Sequence, residues 1–283
     1  MIDETADEIA DMQTHSSSVV AVKAARALGE LTAREFPAVE QYLRALERNS
    51  NALRRANPSH ASLHNTQGRI VERVTGGDPD SVEAAKRLTE EAVAEVVETV
   101  ETGKQRAAER GAELVADDDT LLVHDYSTTV LSALTRAVER GAEFTVYVTE
   151  ARPRYLGRKM ARRLAELEPV DTRLLVDGAS GHYLPECDRV LVGMDCIVDG
   201  TLYNRVGTYP LAATAADAGV PFAVVGSAAK LVDEGFAFEN EHRAASEVMR
   251  EPAEGFTVEN PAYDATPTRL VDTVVTDEGQ FEP

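Results

Sequence analysis

The chain has 283 residues, 43% of them apolar, and its 49 acidic against 29 basic residues give a net charge of −20. This length and apolar content predict two globular domains and argue against a disordered chain. The negative field disfavours direct binding to nucleic acid or to an anionic membrane. No apolar run approaches membrane-spanning length, and the acidic N-terminus is unlike a signal peptide, so we expect a cytoplasmic protein.

Lysine is scarce, with five lysines among the basic residues. An acidic, lysine-poor surface suits a high-salt cytosol, where solvent ions screen self-repulsion. A halophilic source is therefore one hypothesis, and an ordinary acidic mesophile is the other.

The first 115 residues read as helices, because apolar residues recur three and four positions apart on a charged background. No segment there has the character of a strand. We therefore predict an all-helical N-terminal domain, residues 1–115. Its predicted helices are Ser18–Leu31, Pro37–Arg48, Ser59–Val74 and Ser81–Arg110.

From Ala116 the pattern changes to short apolar runs separated by segments of helical length. Such alternation predicts a parallel sheet wrapped by helices, and hence an α/β fold for a second domain, residues 116–283. The boundary is expected near residues 111–119, where Gly111 and three aspartates interrupt the long helix. The predicted strands are Leu121–Val123, Phe144–Val148, Arg173–Val176, Val190–Val192 and Pro221–Val225.

Parallel sheets place ligands at the carboxyl ends of their strands, beside helix N-termini that attract anions. Ser127 or Thr128 opens the helix after the first strand, and Arg152 follows the second. Arg152 is interpreted as a phosphate clamp, against the alternative of a solvated basic helix start. The cations that follow it are expected at the surface: Arg154, Arg158, Arg162 and Arg163.

Later loops supply further candidates. Asp195 follows a strand expected to be buried on both faces, and is either a proton-transfer group or an ordinary turn or N-cap aspartate. Lys230 is a further candidate cation at the entrance of the predicted ligand site, although a lone lysine usually faces solvent. A second anion site is predicted where a flexible glycine and a hydroxyl start a helix, at Asn204, Arg205, Gly207 and Thr208.

The two cysteines, Cys187 and Cys196, have no CxxC spacing and indicate neither a disulfide framework nor a zinc site. Cys196 is expected in the core rather than in catalysis. No phosphate-binding GxxxxGK or dinucleotide-binding fingerprint occurs. We therefore predict no metal and no cofactor.

At these strand ends the chain resembles the family that joins the alpha, beta and delta subunits of translation initiation factor 2B with ribose-1,5-bisphosphate isomerase and methylthioribose-1-phosphate isomerase. The resemblance implies a helical N-terminal domain and a Rossmann-like C-terminal domain. It further implies a phosphorylated sugar or nucleotide as ligand, and homodimers or higher oligomers that can include a related subunit. It runs from about Asp119 to Phe281, and its motifs lie at 123–127, 148–153, 192–195, 204–208, 260–267 and 275–279.

Function divides within this family at a few positions. The isomerases carry an aspartate in a Gly-x-Asp motif, matched by Asp195, and a cysteine at the position that Asp125 occupies here. They also carry an Arg-Gly-Ala segment near the start of the chain, where residues 14–20 read Thr-His-Ser-Ser-Ser-Val-Val, and a lysine where this chain has Arg205.

These departures favour a non-catalytic, initiation-factor-type regulatory protein with a sensor pocket. The alternative is an aldose-ketose isomerase in which Asp195 protonates the ring oxygen or leaving group and Asp125 acts as base. A third hypothesis is a structural paralogue that partners a related subunit.

Overall fold

The computed structural model describes residues 2–11, 17–58, 60–232, 236–251 and 254–283. The chain forms two compact units, Met1–Gly103 and Lys104–Pro283. The division falls within a 30-residue helix, Val82–Gly111. The domain boundary predicted between residues 115 and 116 stays a prediction.

The first unit is helical throughout the residues described. Its core lies where the apolar stripes of the helices meet, at residues such as Leu28, Leu46 and Ile70. The four predicted helices are present, and one further helix precedes them at the N-terminus. The helices are α1 (Ile2–Asp11), α2 (Ser17–Gly29), α3 (Val39–Ala56), α4 (Ala61–Gly76) and α5 (Val82–Gly111). Among the described residues, no helix is long and apolar enough to span a bilayer.

The second unit is an α/β structure around a seven-stranded sheet of order β10-β9-β7-β4-β1-β2-β3, parallel except at β10. The predicted fold class, a helical N-terminal part followed by a Rossmann-like parallel sheet, is confirmed. The sheet strands are β1 (Thr120–Val123), β2 (Phe144–Thr149), β3 (Val170–Leu175), β4 (Arg189–Val192), β7 (Phe222–Val225), β9 (Thr273–Val275) and β10 (Gln280–Phe281). The helices are α6 (Thr128–Glu139), α7 (Leu156–Leu164), α8 (Ser180–Tyr183), α9 (Thr208–Ala218) and α10 (Ala245–Val248).

Alternate residues of the central strands point to opposite faces of this sheet, so each strand contributes to two cores. Leu121 and Val123 of β1 pack on one face with residues of α6 and α7. Leu122, between them, packs on the other face with residues of α9. Burial on both faces explains why these strands read as uninterrupted apolar runs.

A second, three-stranded antiparallel sheet joins β5 (Cys196–Val198), β6 (Thr201–Arg205) and β8 (Tyr263–Pro267). None of these three strands was predicted from the sequence. β6 pairs with β8, in a register that sets Asn204 opposite Asp264 and Arg205 opposite Tyr263. A pairing partner some 60 residues away leaves no local signal in either segment.

The order of the strands locates the ligand site. From β1 the chain winds outward through β2 and β3, whereas from β4 it winds the other way through β7 and β9. The switch point of the sheet therefore lies between β1 and β4, which pair in parallel. Ligands bind open α/β sheets at the carboxyl ends of strands at such a switch point. Asp125 and Asp195 follow these two strands.

Gly157 holds the start of α7 against the end of β2. A Cβ at this position would lie 1.8 Å from the carbonyl oxygen of Thr149. We expect Gly157→Ala to lower the free energy of unfolding by about 3 kcal/mol, because the backbone must move to relieve the overlap. Gly178→Ala is the matched control, since nothing lies within 4 Å of its added Cβ. Equal denaturation midpoints for the two variants would contradict this packing.

Candidate active site

Asp125 and Asp195 converge on one guanidinium group. Arg205 Nε lies 3.7 Å from Asp125 Oδ2 and 3.9 Å from Asp195 Oδ2. The two carboxylates come from loops at the ends of β1 and β4, and the arginine is the last residue of β6. The structure therefore brings together three residues that the sequence places in separate motifs. An arginine between them offsets the repulsion that two neighbouring carboxylates would otherwise exert.

Arg205 is enclosed by this arrangement. Its guanidinium carbon lies 4.7 Å from the ring centre of Tyr263, its partner across β6 and β8. Burial by itself lowers the pKa of Arg205, but the surrounding Asp195, Tyr263 and Asp125 outweigh it and raise the pKa above the ordinary value. Arg205 is therefore a fixed positive charge, and not a proton donor, at any working pH.

Asp125 is the more unusual of the two carboxylates. It is 8% exposed, and burial raises the pKa of its carboxyl above the ordinary value against the opposing pull of Arg205 and His124. Repulsion from Asp195 adds to the rise. Its backbone has a φ of +62°, in the left-handed region that residues other than glycine seldom occupy. Strained backbone held at a cleft is typical of functional sites.

Lys230 lies at the same centre, on a short 3-10 helix after β7. Its Nζ donates a 2.6 Å hydrogen bond to the carbonyl oxygen of Met194, the residue before Asp195. Burial lowers the pKa of Lys230, and Asp195 opposes that fall. The side chain is thus turned inward, and the alternative of a solvent-facing lysine is wrong.

A cleft with an empty volume of about 310 Å³ opens beside Asp125 and Arg205. Four arginines line it, a marked local excess of positive charge in a protein of net charge −20. Asp195, Lys230 and Ser127 are not part of its lining. The lining residues are Asp125, Ala151, Arg152, Pro153, Arg154, Leu156, Arg205, Val206, Arg243, Asn260, Pro261 and Ala262.

Arg152 reaches this cleft from the loop after β2, where it was predicted. Asp177 fixes its backbone by accepting hydrogen bonds from the amides of Ala151 and Arg152 at 2.8 and 2.7 Å. The guanidinium donates to the hydroxyl of Tyr155 and to the carbonyl of Val248. The side chain is therefore exposed to solvent yet held in place, and phosphate binding by Arg152 stays a prediction.

Two of the four arginines were not predicted for the site. Arg154 was assigned to the surface, but its side chain is 22% exposed and lines the cleft. The turn after Pro153 directs it inward, a result that helical periodicity could not show. Arg243 was missed altogether; its side chain is 7% exposed. Its segment has no strand-end pattern, and no sequence signal marked it.

The helix start at Gly207 differs from an open anion site. The amides of Gly207 and Tyr209 both donate to Asp264 Oδ2, at 2.8 and 3.0 Å. A carboxylate of the protein thus occupies the N-terminus of α9. The Thr208 hydroxyl donates to the carbonyl of Arg205 and accepts from Asn204 Nδ2. Ligand binding by Asn204, Gly207 and Thr208 stays a prediction, and the interactions observed position Arg205.

Ser127 caps α6 by accepting a hydrogen bond from the amide of Val130. It packs directly against Gly193, where an added Cβ would lie 2.5 Å from the Ser127 hydroxyl. This close approach explains the glycine before Met194 and Asp195. Contact of Ser127 with a ligand stays a prediction.

His124 joins three of the loops. Its Nε2 lies 2.9 Å from the carbonyl of Val206 and its Nδ1 lies 2.7 Å from the hydroxyl of Thr149. Since a carbonyl only accepts, Nε2 carries the proton in the neutral ring and the threonine donates to Nδ1. This side chain thereby fixes the Arg205 loop to the ends of β1 and β2.

The cysteines lie in the core. Cys196 is fully buried, and burial together with the charge of Asp195 raises the pKa of its thiol to about 12. Burial likewise raises the pKa of Cys187 to about 11. Neither is poised as a nucleophile. Within the described part of the chain, no group of three His, Cys, Asp or Glu side chains is arranged to hold a metal ion.

Comparison with known proteins identifies the family. Residues 13–283 match the Initiation factor 2 subunit family. The chain belongs to this family. Among solved structures, the translation initiation factor eIF-2B of Pyrococcus horikoshii superimposes with a TM-score of 0.81 at 26% identity, covering 100% of this chain and 97% of that one. The sequence resemblance is thereby confirmed.

The sequence relatives of this Initiation factor 2 family member are named as enzymes. The ribose 1,5-bisphosphate isomerase of Haloterrigena turkmenica is 36% identical over 99% of this chain and 89% of its own. That of Haloferax volcanii is 33% identical over 99% of this chain and 88% of its own. Six such archaeal isomerases are 28–36% identical to the chain.

These relatives overturn the interpretation of a non-catalytic regulatory protein. That interpretation rested on two departures from the isomerases, Asp125 at the cysteine position and the missing Arg-Gly-Ala segment. Thr14, His15 and Ser16 of the corresponding segment lie outside the described residues. Asp125, in contrast, lies beside Asp195 and Arg205. The residue at the cysteine position is therefore a titratable group within the site and not an inert side chain.

Proposed function

We propose that this protein is a sugar-phosphate aldose-ketose isomerase acting on ribose 1,5-bisphosphate. The observation that carries the proposal is the pairing of Asp125 and Asp195 around Arg205, beside a cleft lined by four arginines. The two carboxylates can move protons, and the cationic cleft can hold a phosphorylated sugar. The names of the archaeal relatives support the choice of substrate.

The reaction opens the ring and moves one proton between carbons. Asp195 gives a proton to the ring oxygen as the bond between that oxygen and C1 breaks. Asp125 takes the proton from C2, which leaves a C1–C2 double bond with the phosphate still on C1. Asp125 then returns a proton to C1 while the Asp195 carboxylate takes the C2 hydroxyl proton, which gives the 2-ketose and restores both side chains. The atoms of substrate and product are the same, so no co-reactant is needed.

Asp125 suits the role of base because burial raises its pKa. A carboxylate of higher pKa is a stronger base, and catalysis is most efficient when that pKa approaches the working pH. The position that carries a thiol in the isomerases thus carries another titratable group. Its chemistry differs from that of a thiolate, but the direction of proton transfer does not.

Arg205 and Lys230 supply fixed charge to this centre. Arg205 Nε lies within 4 Å of both carboxylates, and the guanidinium can stabilise the negative charge that develops on the C2 oxygen as the C2 hydroxyl loses its proton. Lys230, anchored to the carbonyl of Met194, orients the strand end that carries Asp195. Arg152, which lines the cleft, binds a phosphate of the substrate.

A substrate panel tests the proposal. Purified protein at high salt is incubated separately with ribose 1,5-bisphosphate, ribose 5-phosphate and methylthioribose 1-phosphate, and ketose formation is measured. We expect the highest kcat/KM with ribose 1,5-bisphosphate. A higher value with methylthioribose 1-phosphate would reassign the substrate, whereas no ketose from any of the three would contradict the isomerase proposal.

The predicted assembly into a homodimer or higher oligomer, with or without a related subunit, stays a prediction.

A further inference from the structure

Arg154 and Arg243 form a second group of positive charge in the cleft. Arg154 follows the β2 loop and Arg243 precedes α10, and both line the cleft with Asn260. Their side chains are 22% and 7% exposed. A partly buried and a buried guanidinium lining one cleft are costly to fold, since each loses solvent in the field of the other.

Part of their hydrogen-bonding capacity is unused. Among the described residues, Arg154 Nη1 and Arg243 Nε and Nη2 are buried and have no hydrogen-bond acceptor. Nearby carboxylates compensate the charge but not these donors. Glu247 lies 3.7 Å from Arg154 Nε, and Glu241 lies 3.2 Å from Arg243 Nη2 without hydrogen-bond alignment.

Buried donors without acceptors cost free energy, and the cost is greatest for charged groups. A ligand with several acceptor oxygens would satisfy them together. Phosphate matches, because a guanidinium presents two parallel N–H groups to two of its oxygens.

Hydrogen bonds hold the backbone around Arg243 in place. Asn260 is 3% exposed, and its Nδ2 donates to the carbonyl of Ala244 at 3.0 Å. The amide of Arg243 in turn donates to the carbonyl of Asn260 at 2.9 Å. These bonds fix the backbone on both sides of Arg243.

This arginine pair differs from Arg205 in which carboxylates lie beside it. Arg205 lies against Asp125 and Asp195, so its charge belongs to the reacting centre. The pair has Glu247 and Glu241 instead, which have no part in the proton transfer. Arg154 lines the same cleft as Arg205 and Asp125 and is therefore close to the reacting centre.

We propose that Arg154 and Arg243 form a subsite for the second phosphate of the substrate, and that they make the protein select bisphosphorylated over monophosphorylated sugars. The proposal rests on the proposed function for its ligand class. It assigns a specificity role to two residues that are not part of the proton-transfer group.

The test is equilibrium binding, which does not depend on turnover. Calorimetry measures the Kd of ribose 1,5-bisphosphate and of ribose 5-phosphate for the wild type and for Arg154→Met, which keeps an apolar stem without the guanidinium. We expect the variant to bind the bisphosphate about 10–100-fold more weakly, the loss typical of charge-assisted hydrogen bonds. The Kd of the monophosphate should change less than about threefold, within the effect of an ordinary surface substitution.

Two further variants complete the design. Arg162→Met removes an exposed arginine of α7 that does not line the cleft, and should leave both Kd values unchanged. Arg243→Lys keeps the charge but loses the planar fork, so it should weaken bisphosphate binding more than monophosphate binding even where Arg154→Met folds poorly.

The results of these measurements distinguish failure of the subsite proposal from failure of the isomerase proposal. Equal weakening of both ligands, or no change in either, in folded Arg154→Met and Arg243→Lys would overturn the subsite. A wild-type protein that prefers the bisphosphate, loses that preference in Arg154→Met and forms no ketose would support the subsite and overturn only the isomerase proposal.

Discussion

Replacing Asp195 by asparagine is expected to lower kcat about 10³-fold. The substitution preserves the size of the side chain and removes its capacity to carry a proton, and general acid-base groups typically contribute factors of 10²–10⁴. The carboxylate stands within 4 Å of Arg205 Nε at the end of β4, so its loss also removes a charge that holds Arg205. Steady-state ketose formation from ribose 1,5-bisphosphate measures the effect.

The control is Asp217→Asn, an exposed aspartate on α9. It changes the net charge of the protein by the same amount and should leave kcat within twofold, as expected of a surface substitution. If Asp195→Asn retained more than about a tenth of the wild-type kcat, a proton-transfer role for this residue would be untenable.

Asp125→Asn is expected to produce the second large loss, of about 10²–10⁴ in kcat/KM, through removal of the base. The pH dependence identifies the group. Asp125 accepts a proton only when ionised, and burial raises its pKa, so activity should fall as the pH drops through a value above the ordinary carboxyl pKa of about 4. The acid limb of the wild-type profile should therefore lie above that value.

Asp125→Cys is the matched variant for this assignment. A thiol has an ordinary pKa near 8.5, well above that of a carboxyl group. If Asp125 is the base, the acid limb should move to higher pH in the cysteine variant, with activity recovering only in alkaline solution. An acid limb at the same pH in both proteins would assign it to another residue.

Asp125 should also affect folding in a defined direction. A carboxyl group whose pKa is raised in the folded state favours folding while protonated, and that contribution is lost as the pH rises through the folded pKa. Asp125→Asn removes the cost of burying the ionised form. Its stability relative to the wild type should therefore increase from acid to neutral pH, although its activity falls.

The sequence predicted the features that depend on local pattern and on strand ends. Periodicity located helices α2 to α5, and apolar runs located β1, β2, β4 and β7. Because parallel strands align their carboxyl ends, residues after β1, β2 and β4 could be assigned to one site before any coordinates were known. Asp125, Arg152 and Asp195 came from this reasoning, the first with the help of the family resemblance.

Features that depend on distant contacts could not be predicted in this way. β6 and β8 are strands only because they pair with each other. The pairing of Arg205 with Tyr263 brings the guanidinium between two aspartates. Arg243 enters the cleft from a segment with no regular pattern. Lys230 is turned inward by a hydrogen bond to Met194 O, which no spacing rule encodes.

The family resemblance was informative about fold and misleading about function at one residue. Compared with the family motif alone, Asp125 indicates the loss of a catalytic thiol and favours a regulatory protein. The identity of one residue cannot show whether a catalytic group has been lost or has been replaced by another catalytic group. The surroundings of a carboxylate decide its pKa and therefore its role. The contacts with Arg205, the burial and the strained backbone of Asp125 are properties of the folded chain.

If Asp125, Asp195 and Arg205 convert an aldose phosphate into a ketose, C2 of the substrate must change from an alcohol carbon to a ketone carbon. Wild-type protein is incubated at high salt with ribose 1,5-bisphosphate labelled with ¹³C at C2, and the label is observed by NMR. We expect the alcohol carbon signal to decline while a ketone carbon signal grows, and Asp195→Asn to show neither change over the same period. A C2 signal that stays unchanged with folded wild-type protein, or that converts equally fast with Asp195→Asn, would contradict the isomerase proposal.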